Sequence, residues 1–368
     1  MSAFGPIVRF GTVAVLVAAV VGWPTAAAGR DEIRDGQWFH SFLKTSGAHR
    51  ITEGAGVTVA LVDSGVDADH PDLVGSVIAG ADFTDEGPGD GLADRDGHGT
   101  AMAGLIAAHG RVTGMAPAAK IMSIRTSVTY ASVGGSLVRG IEFATERKVD
   151  VISLSRMVVG GSEDTVLRTA VERAIAADIV VVVATGNRSE STRMSYLATI
   201  PGVVAVGGVD QKGDHSEISV SGAETTLAAP CDDISSTYVD GRWATATGTS
   251  NSTALVAGAA ALIRSRYPDL PAREVAHRLT ATAVDKGFRG PDGEYGHGVI
   301  DIVAALTANV PPMSPSASPS RSSATAASGK PDPETNVPWT RVLVPIVVGV
   351  VVVVFVLGIG MRSRRTSR

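Results

Sequence analysis

Short, almost continuous apolar runs alternate with helical patterns along the middle of the chain, and this alternation most constrains the fold. The apolar runs cover residues 57–62, 121–124, 149–154, 179–184 and 203–209, and the helical patterns cover 98–109, 136–147 and 163–177. Strands without alternating polar positions are buried on both faces, and helices between successive strands supply the covering layers. The pattern therefore predicts an α/β domain around a parallel sheet. Functional residues are expected at the carboxyl ends of its strands, where Asp63 and Asn187 lie.

The N-terminus has the features of a secretory signal. Arg9 supplies a positive charge, an apolar stretch follows over residues 10–23, and small residues then occupy 24–28. This arrangement predicts cleavage after Ala28, so residues 1–28 form a signal peptide. An uncleaved N-terminal anchor is the alternative interpretation.

The C-terminal region contains a run of 20 residues without a charge, 342–361. At about 1.5 Å per residue, a helix of this length spans a hydrocarbon core of about 30 Å. The tail 362–368 carries four arginines, which favour the cytoplasmic side of a membrane. We predict a single-pass protein of the cell membrane, with an extracytoplasmic body, a transmembrane helix at 342–361 and a cytoplasmic tail. A buried core helix is the less favoured alternative, since the run has no polar face.

Proline, serine, alanine and threonine dominate residues 311–341, so this segment cannot bury a core and is predicted to be an extended linker. The body is then one domain over 57–310, preceded by an N-terminal extension at 29–56. The net charge of −5 and the lack of a long basic run in the body make nucleic acid an unexpected partner.

The chain has one cysteine, Cys231, so no internal disulfide is possible. Such a residue is most often a small buried side chain. Two acidic groups lack the complete pattern of an oxygen-ligand loop, and we interpret them as solvated turns, with Asp96 helping to order the turn before His98. They comprise Asp67, Asp69 and Asp72, and Asp90, Asp94 and Asp96. No metal site and no cofactor are predicted.

Three glycine-flanked blocks carry residues with catalytic potential. Asp63 lies in Val-Asp-Ser-Gly, His98 in Asp-Gly-His-Gly-Thr and Ser250 in Gly-Thr-Ser-Asn. Taken singly, each has a structural explanation as a turn or helix cap. Together they supply a hydroxyl nucleophile, a base with a pKa near neutrality and a carboxylate that orients the base. The sequence therefore predicts a catalytic triad of Asp63, His98 and Ser250.

A fourth candidate, Asn187, follows the most apolar strand in Thr-Gly-Asn. Its side-chain amide is suited to donate to the oxyanion of a tetrahedral intermediate, together with the backbone N–H of Ser250. A plain turn asparagine is the alternative, since the Gly-Asn pair also favours turns.

The three blocks, with Val59–Val66 around the aspartate, resemble the active-site blocks of subtilisin-like (S8 family) serine proteases. The resemblance covers about residues 37–306. It implies a subtilisin-like, doubly wound and mainly parallel sheet, and hydrolysis of peptide bonds in a protein or peptide substrate through an acyl-enzyme. The order of signal, domain, linker, apolar run and basic tail is similar to that of the mycosins. That narrower resemblance implies an association with membrane components of type VII secretion.

Three positions depart from the subtilase pattern. Ala254 stands where proline is usual after the nucleophile, and Cys231 stands where glycine is common, which predicts strain if that position needs a positive φ. In the segment that resembles the substrate-binding edge, Arg156 and Met157 replace Leu-Gly after Ser155. We take Ser155, Arg156 and Met157 as substrate-binding candidates, and we hypothesise that Arg156 favours an acidic substrate side chain.

Three functions fit these features to different degrees. The intact blocks favour an active endopeptidase with a narrow substrate range. The altered binding edge favours a weakly active or inactive subtilase that acts as a structural component of a membrane secretion complex. A cell-surface binding module with no hydrolase history is the least favoured.

Overall fold

A computed structural model describes residues 31–128, 134–155 and 165–313. The predicted signal peptide, most of the linker, the apolar run 342–361, the basic tail and the candidates Arg156 and Met157 lie outside these ranges. Nine strands are described: β1 Thr58–Asp63, β2 Val77–Asp82, β3 Lys120–Arg125, β4 Val151–Leu154, β5 Val180–Ala184, β6 Val204–Val209, β7 Leu227–Pro230, β8 Ile234–Tyr238 and β9 Arg242–Ala246.

Nine α-helices are described in the same ranges. They are α1 Glu32–Asp35, α2 Phe39–Phe42, α3 Thr45–His49, α4 His98–Ala107, α5 Gly134–Glu146, α6 Thr165–Ala176, α7 Thr249–Arg266, α8 Ala272–Ala281 and α9 Ile302–Thr307, with a short 3-10 turn at Tyr196–Thr199. Within the described part of the chain, no helix combines the length and the apolar character needed to cross a membrane.

Seven strands form one sheet in the order β2-β3-β1-β4-β5-β6-β7, and every neighbouring pair is parallel. The two remaining strands, β8 and β9, form a separate antiparallel hairpin. The predicted α/β fold with a parallel sheet is therefore confirmed. Each strand predicted from an apolar run is present, with its ends within two residues of the prediction.

The sheet separates two apolar cores, because successive side chains of a strand point to opposite faces. In β1, Val59 and Leu61 belong to the core shared with α4, α7 and α8, whereas Ala60 and Val62 belong to the core shared with α5 and α6. The same division holds along β4, β5 and β6. Burial on both faces explains why these strands lack the alternation of polar and apolar residues seen in half-exposed sheets.

The N-terminal extension packs along the body before the first strand begins. Phe39 is fully buried in the larger core, and the indole N–H of Trp38 donates to the carbonyl of Asp232 at 2.8 Å. The side chain of Gln37 exchanges two hydrogen bonds with the backbone of Thr113, at 3.1 and 3.2 Å. The extension therefore contributes buried surface and satisfied polar contacts to the domain.

Candidate active site

The candidate residues meet where the order of the sheet reverses. The chain builds β2 and β3 on one side of β1 and then crosses to place β4 on the other side, so a crevice opens at the carboxyl ends of β1 and β4. Asp63 is the last residue of β1, and Ser155 directly follows β4. Parallel strands thus bring two distant segments to one edge of the sheet.

Asp63 and His98 form the central hydrogen-bonded pair of this crevice. Nδ1 of the imidazole lies 2.8 Å from Oδ1 and 3.0 Å from Oδ2 of the carboxylate. Asp63 is fully buried, whereas His98 keeps part of its ring exposed to the crevice. Because an ionised carboxylate only accepts hydrogen bonds, Nδ1 carries the proton and Nε2 of the neutral ring is left as the basic nitrogen.

The two glycines beside His98 let helix α4 approach its neighbours closely. A Cβ at Gly97, whose φ is +92°, would lie 2.2 Å from the ring of Tyr238. A Cβ at Gly99 would lie 2.1 Å from the carbonyl oxygen of Gly65, in the turn that follows Asp63. The backbone N–H of Gly99 instead donates to the hydroxyl of Ser64 at 2.9 Å, which joins the aspartate block to the histidine block.

Asp94 organises the start of helix α4. One of its carboxylate oxygens accepts from the backbone N–H groups of Asp96 and Gly97, and the other accepts from the N–H and hydroxyl of Thr100, at 2.7 to 3.0 Å. The interpretation of this acidic group as a solvated turn is wrong for Asp94, because its carboxylate accepts from backbone N–H groups of the turn before the helix and from that of Thr100 in its first turn. The expected contribution of Asp96 is smaller, a 3.3 Å contact with the N–H of His98.

Ser250 is the second residue of helix α7 and is almost completely buried. Its backbone N–H is therefore among the first four of the helix, which have no acceptor within it. Its hydroxyl donates to the carbonyl oxygen of Ser155 at 3.1 Å, so the proton of this hydroxyl points to the edge of β4. Ser155 is thus placed against the predicted nucleophile.

Asn187 connects the turn after β5 to the start of helix α7. Its Oδ1 accepts from the backbone N–H of Thr249 at 2.9 Å and from the hydroxyl of the same residue at 3.0 Å. Its Nδ2 donates to the carboxylate of Glu190 at 2.6 Å. The predicted oxyanion donor therefore lies beside the predicted nucleophile, with its amide held at both ends.

A pocket of about 330 Å³ opens between these residues and the β8–β9 hairpin. His98, Asn187 and Ser250 line it, together with Ile234, Tyr238 and Ala246 of the hairpin. The arrangement presents a buried hydroxyl, a carboxylate-bound imidazole and a side-chain amide to one cavity, which is the set of groups needed for acyl transfer.

Comparison with known proteins decides the family. Residues 54–298, more than half of the chain, match the subtilase family, Peptidase S8. The chain belongs to the subtilase family. It is 39% identical over 265 residues to subtilisin DY of Bacillus licheniformis, an alignment that covers 69% of this chain and 92% of that protein.

Similarity to the mycosins is found in both sequence and structure. The subtilase is 34% identical over 348 residues to Mycosin-1 of Mycobacterium tuberculosis, covering 78% of this chain and 77% of that protein. The crystal structure of MycP1 with its N-terminal propeptide removed superposes with a TM-score of 0.66 at 33% identity, covering 74% of this chain and 98% of that one. The MycP3 protease of the type VII (ESX-3) secretion system gives a TM-score of 0.63 at 32% identity, covering 77% and 90%. The subtilase is therefore a serine endopeptidase of this family, related to the mycosins of type VII secretion.

One further charged side chain of the subtilase lies beside the crevice, and the sequence patterns do not identify it. Arg125, at the end of β3, is buried and donates to Asp82, to Glu86 and to the carbonyl of Ser64. Burial by itself lowers the pKa of Arg125, but the hydrogen bonds to Glu86 and Asp82 outweigh it and raise that pKa above its usual value. The signal was present in the sequence, since a basic residue that ends a buried apolar run needs a carboxylate partner.

Asp72, another charged side chain, joins the turn before β2 to the segment after helix α4 and to the β8–β9 hairpin. Its carboxylate accepts from the N–H groups of Arg111 and Val112 and from the indole N–H of Trp243, at 2.7 to 2.9 Å. The interpretation as a solvated turn is therefore also wrong for Asp72, which is buried, although Asp69 is exposed. Within the described ranges, no group of three or more potential ligand side chains is arranged to hold a metal ion.

Cys231 adopts a negative φ, so the strain predicted for it does not occur. Its buried thiol lies against Gly208, where a Cβ would approach Sγ to 2.3 Å, so the neighbouring glycine provides the space. The carbonyl of Cys231 accepts from Gly248 and, at 3.0 Å, from the side-chain amide of Asn251, the residue after the predicted nucleophile. The same amide donates to the carbonyl of Ala246 at 2.9 Å, which ties the hairpin to helix α7.

Ala254 is fully buried within helix α7, which continues through it without a break. The helix forms without proline at this position, since alanine has a higher helix propensity than proline in a helix interior. The departure therefore leaves the backbone around Ser250 intact.

Proposed function

We propose that this subtilase is a membrane-anchored, extracytoplasmic endopeptidase that hydrolyses peptide bonds through an acyl-enzyme and acts in type VII secretion. The observation that carries the proposal is the short contact of Asp63 with Nδ1 of His98, in a pocket that Ser250 and Asn187 also line. This contact fixes the tautomer that a general base needs.

The reaction follows from this geometry. The hydroxyl of Ser250 turns from Ser155 towards Nε2 of His98, which accepts its proton as the oxygen attacks the substrate carbonyl. Asp63 stabilises the imidazolium that forms. The oxyanion accepts hydrogen bonds from the N–H of Ser250 and from Nδ2 of Asn187.

Collapse of the tetrahedral intermediate completes acylation. The C–N bond breaks, the imidazolium protonates the leaving amine, and the acyl group stays on Oγ of Ser250. Water then attacks the ester with His98 again as the base, which releases the acid and restores the hydroxyl.

Two features support the membrane and secretion parts of the proposal. The apolar run 342–361 has the length of a membrane span, and the four arginines that follow it favour a cytoplasmic tail. The similarity to Mycosin-1 and to the MycP1 and MycP3 structures favours a substrate or partner in type VII secretion.

A second candidate function is a structural component of a secretion complex with little or no catalysis. The hydrogen bond from Ser250 to the carbonyl of Ser155 favours it, since this hydroxyl is not directed to the base. In an active enzyme the hydroxyl exchanges this partner for His98, and in a structural component it does not.

Covalent labelling with a fluorophosphonate separates the two functions. We expect the full chain to be labelled, because the probe reacts only with an activated serine, and we expect Ser250→Ala to be unlabelled. Ser46→Ala, which changes an exposed serine of the N-terminal extension, is the matched control and should label like the parent. A folded parent that stays unlabelled in membranes containing its secretion partners would favour the structural role.

Membrane anchoring is tested by fractionation of cells that express the full chain. We expect it to remain in the membrane pellet after extraction with alkaline carbonate, and we expect a chain that ends at residue 341 to be released. A full chain that is extracted as readily as the shortened one would contradict the anchor.

A further inference from the structure

Glu190 contacts the predicted oxyanion donor directly, and the triad chemistry gives it no role. Its carboxylate accepts from Nδ2 of Asn187 at 2.6 Å, a charge-assisted hydrogen bond. The backbone shapes this contact, since the N–H groups of Glu190 and Ser191 both donate to the carbonyl of Asn187, at 2.9 and 3.0 Å. The turn after β5 thus folds back on itself and places the carboxylate of Glu190 beside the side chain of Asn187, where the turn begins.

The contact determines which way the Asn187 amide faces. A side-chain amide can rotate by 180° with little change in shape, which exchanges its acceptor oxygen and its donor nitrogen. In the observed orientation, the backbone N–H of Thr249 meets Oδ1 and the carboxylate of Glu190 meets Nδ2. Rotation would place a carbonyl oxygen against the carboxylate and an NH₂ group against an N–H, so both contacts would become repulsive.

An oxyanion donor needs this defined orientation. The amide nitrogen carries two hydrogens, and because Glu190 accepts only one of them, the other remains for the substrate oxygen. Donors that are held in place before the reaction stabilise the transition state most, since no reorganisation is needed as charge develops.

We propose that Glu190 is a positioning residue of this peptidase, which locks the Asn187 amide in the orientation that offers an N–H to the developing oxyanion. The inference rests on the proposed acyl-enzyme mechanism and adds a residue to it. Glu190 acts through Asn187, so its effect must vanish when the amide is absent.

The test is a double-mutant cycle read by the second-order rate constant of fluorophosphonate labelling of the full chain. Removing a whole oxyanion donor costs about 10²–10³-fold in rate, and we expect Glu190→Ala, which leaves Thr249 to orient the amide, to cost about 10-fold. Glu190→Gln should stay within about 3-fold of the parent, because its amide oxygen still accepts from Nδ2. In an Asn187→Ala background, Glu190→Ala should cause no further loss.

Glu146→Ala, at the exposed end of helix α5, is the matched control for removing a glutamate. Thermal unfolding checks the fold of each variant, and if Glu190→Ala lacks a native transition, Glu190→Met replaces it with the same expectation. An unchanged or faster rate for a folded Glu190→Ala overturns the inference but leaves the peptidase intact. An equal loss with and without Asn187 also overturns it, since that result indicates a general structural role. An unlabelled parent refutes the peptidase and the inference together.

Discussion

The amide of Asn187 shows how the site is organised residue by residue before any substrate is present. Its oxygen is fixed by Thr249, and its nitrogen contacts Glu190, so the donor does not depend on substrate for its direction. His98 is fixed in the same manner, through Asp63 on the ring and Asp94 on the turn before the helix. Such prior positioning lets hydrogen bonds act at full strength as charge develops.

We predict that Asn187→Ala lowers the rate of fluorophosphonate labelling by about 10²–10³-fold, because one of two oxyanion donors is lost. Far-ultraviolet circular dichroism should show an unchanged fold, since the side chain is small and lies at the pocket. Asn309→Ala, which changes an exposed asparagine, is the control. A loss of less than about 3-fold would show that the backbone N–H of Ser250 suffices.

We predict that Asp94→Ala destabilises the domain by about 1–2 kcal/mol, the usual cost of losing a helix cap, and that it slows labelling of Ser250. The carboxylate holds four donors at the turn that carries His98, so its loss loosens both the helix start and the imidazole. Urea unfolding gives the first quantity and fluorophosphonate kinetics gives the second. The exposed neighbour Asp90, changed to alanine, should alter neither by a comparable amount.

The sequence identifies the residues that lie in a recognisable short block, and it misses those whose role depends on a contact seen only in the structure. Asp63, His98 and Ser250 each lie in a short glycine-flanked block, and a block can be read without knowing what packs against it. Glu190 and Asp94 act through contacts within a turn, and the residue types alone do not show which donor each carboxylate meets. The roles of the triad and of Asn187 stay predictions until they are tested by labelling.

Among the elements, the N-terminal extension adds most to what the sequence indicates. Its short helices lie against the body, and His40 is packed between them, with Nε2 donating to the carbonyl of Thr113 at 2.9 Å and Nδ1 accepting from Thr45 at 2.7 Å. Burial is the main cause that lowers the pKa of His40, to about 4. The neutral ring is therefore the form that the folded extension requires.

We predict that the fold loses stability as the pH falls from about 6.5 towards 4. His40 binds a proton below about 6.5 in the unfolded chain but only near 4 in the folded protein, so protonation favours unfolding in this window. The loss attributable to His40 is about 2–3 kcal/mol at the acidic end, from about 1.4 kcal/mol per pKa unit. Urea titrations at pH 7 and pH 4 should show a smaller difference for His40→Gln than for the parent. The exposed His297→Gln should keep the parental difference, and an equal difference in all three proteins would contradict the assignment.

The elements that the sequence predicts share one property, which is burial on both faces. β1, β4, β5 and β6 are confirmed because an almost continuous apolar run has few alternatives to a central strand. β2 and β9 are partly exposed, and β8 is buried but consists mainly of serine and threonine, so none of the three has an apolar run and none is predicted. Their pairing is determined by neighbours distant in the sequence, which local propensity does not report.

At the scale of the whole molecule, the reactivity of the Cys231 thiol measures unfolding of the domain. It is fully buried beside Gly208, and burial is the main cause that raises the pKa of its thiol. Reaction with thiol reagents needs an accessible thiolate, and the folded protein supplies neither access nor charge.

We predict that a maleimide labels the native chain only as fast as the whole domain unfolds, and that urea accelerates labelling in step with loss of circular dichroism. A cysteine placed at the exposed Ser46 of the Cys231→Ser chain is the control and should react at once in the native state. Rapid labelling of the native parent would show that the strands around Cys231 open locally.

The parallel sheet also determines at which stage of folding this protein can first hydrolyse a peptide bond. Asp63 comes from an early strand and Ser250 from a late helix, and the crevice exists only after strands on both sides of β1 have paired. Parallel pairing closes long loops and is slow, so the hydroxyl and its base meet late in folding. A chain that has not yet formed the late helix therefore has no competent fragment that could hydrolyse neighbouring chains. The topology of the sheet therefore delays formation of the active site until most of the domain has folded.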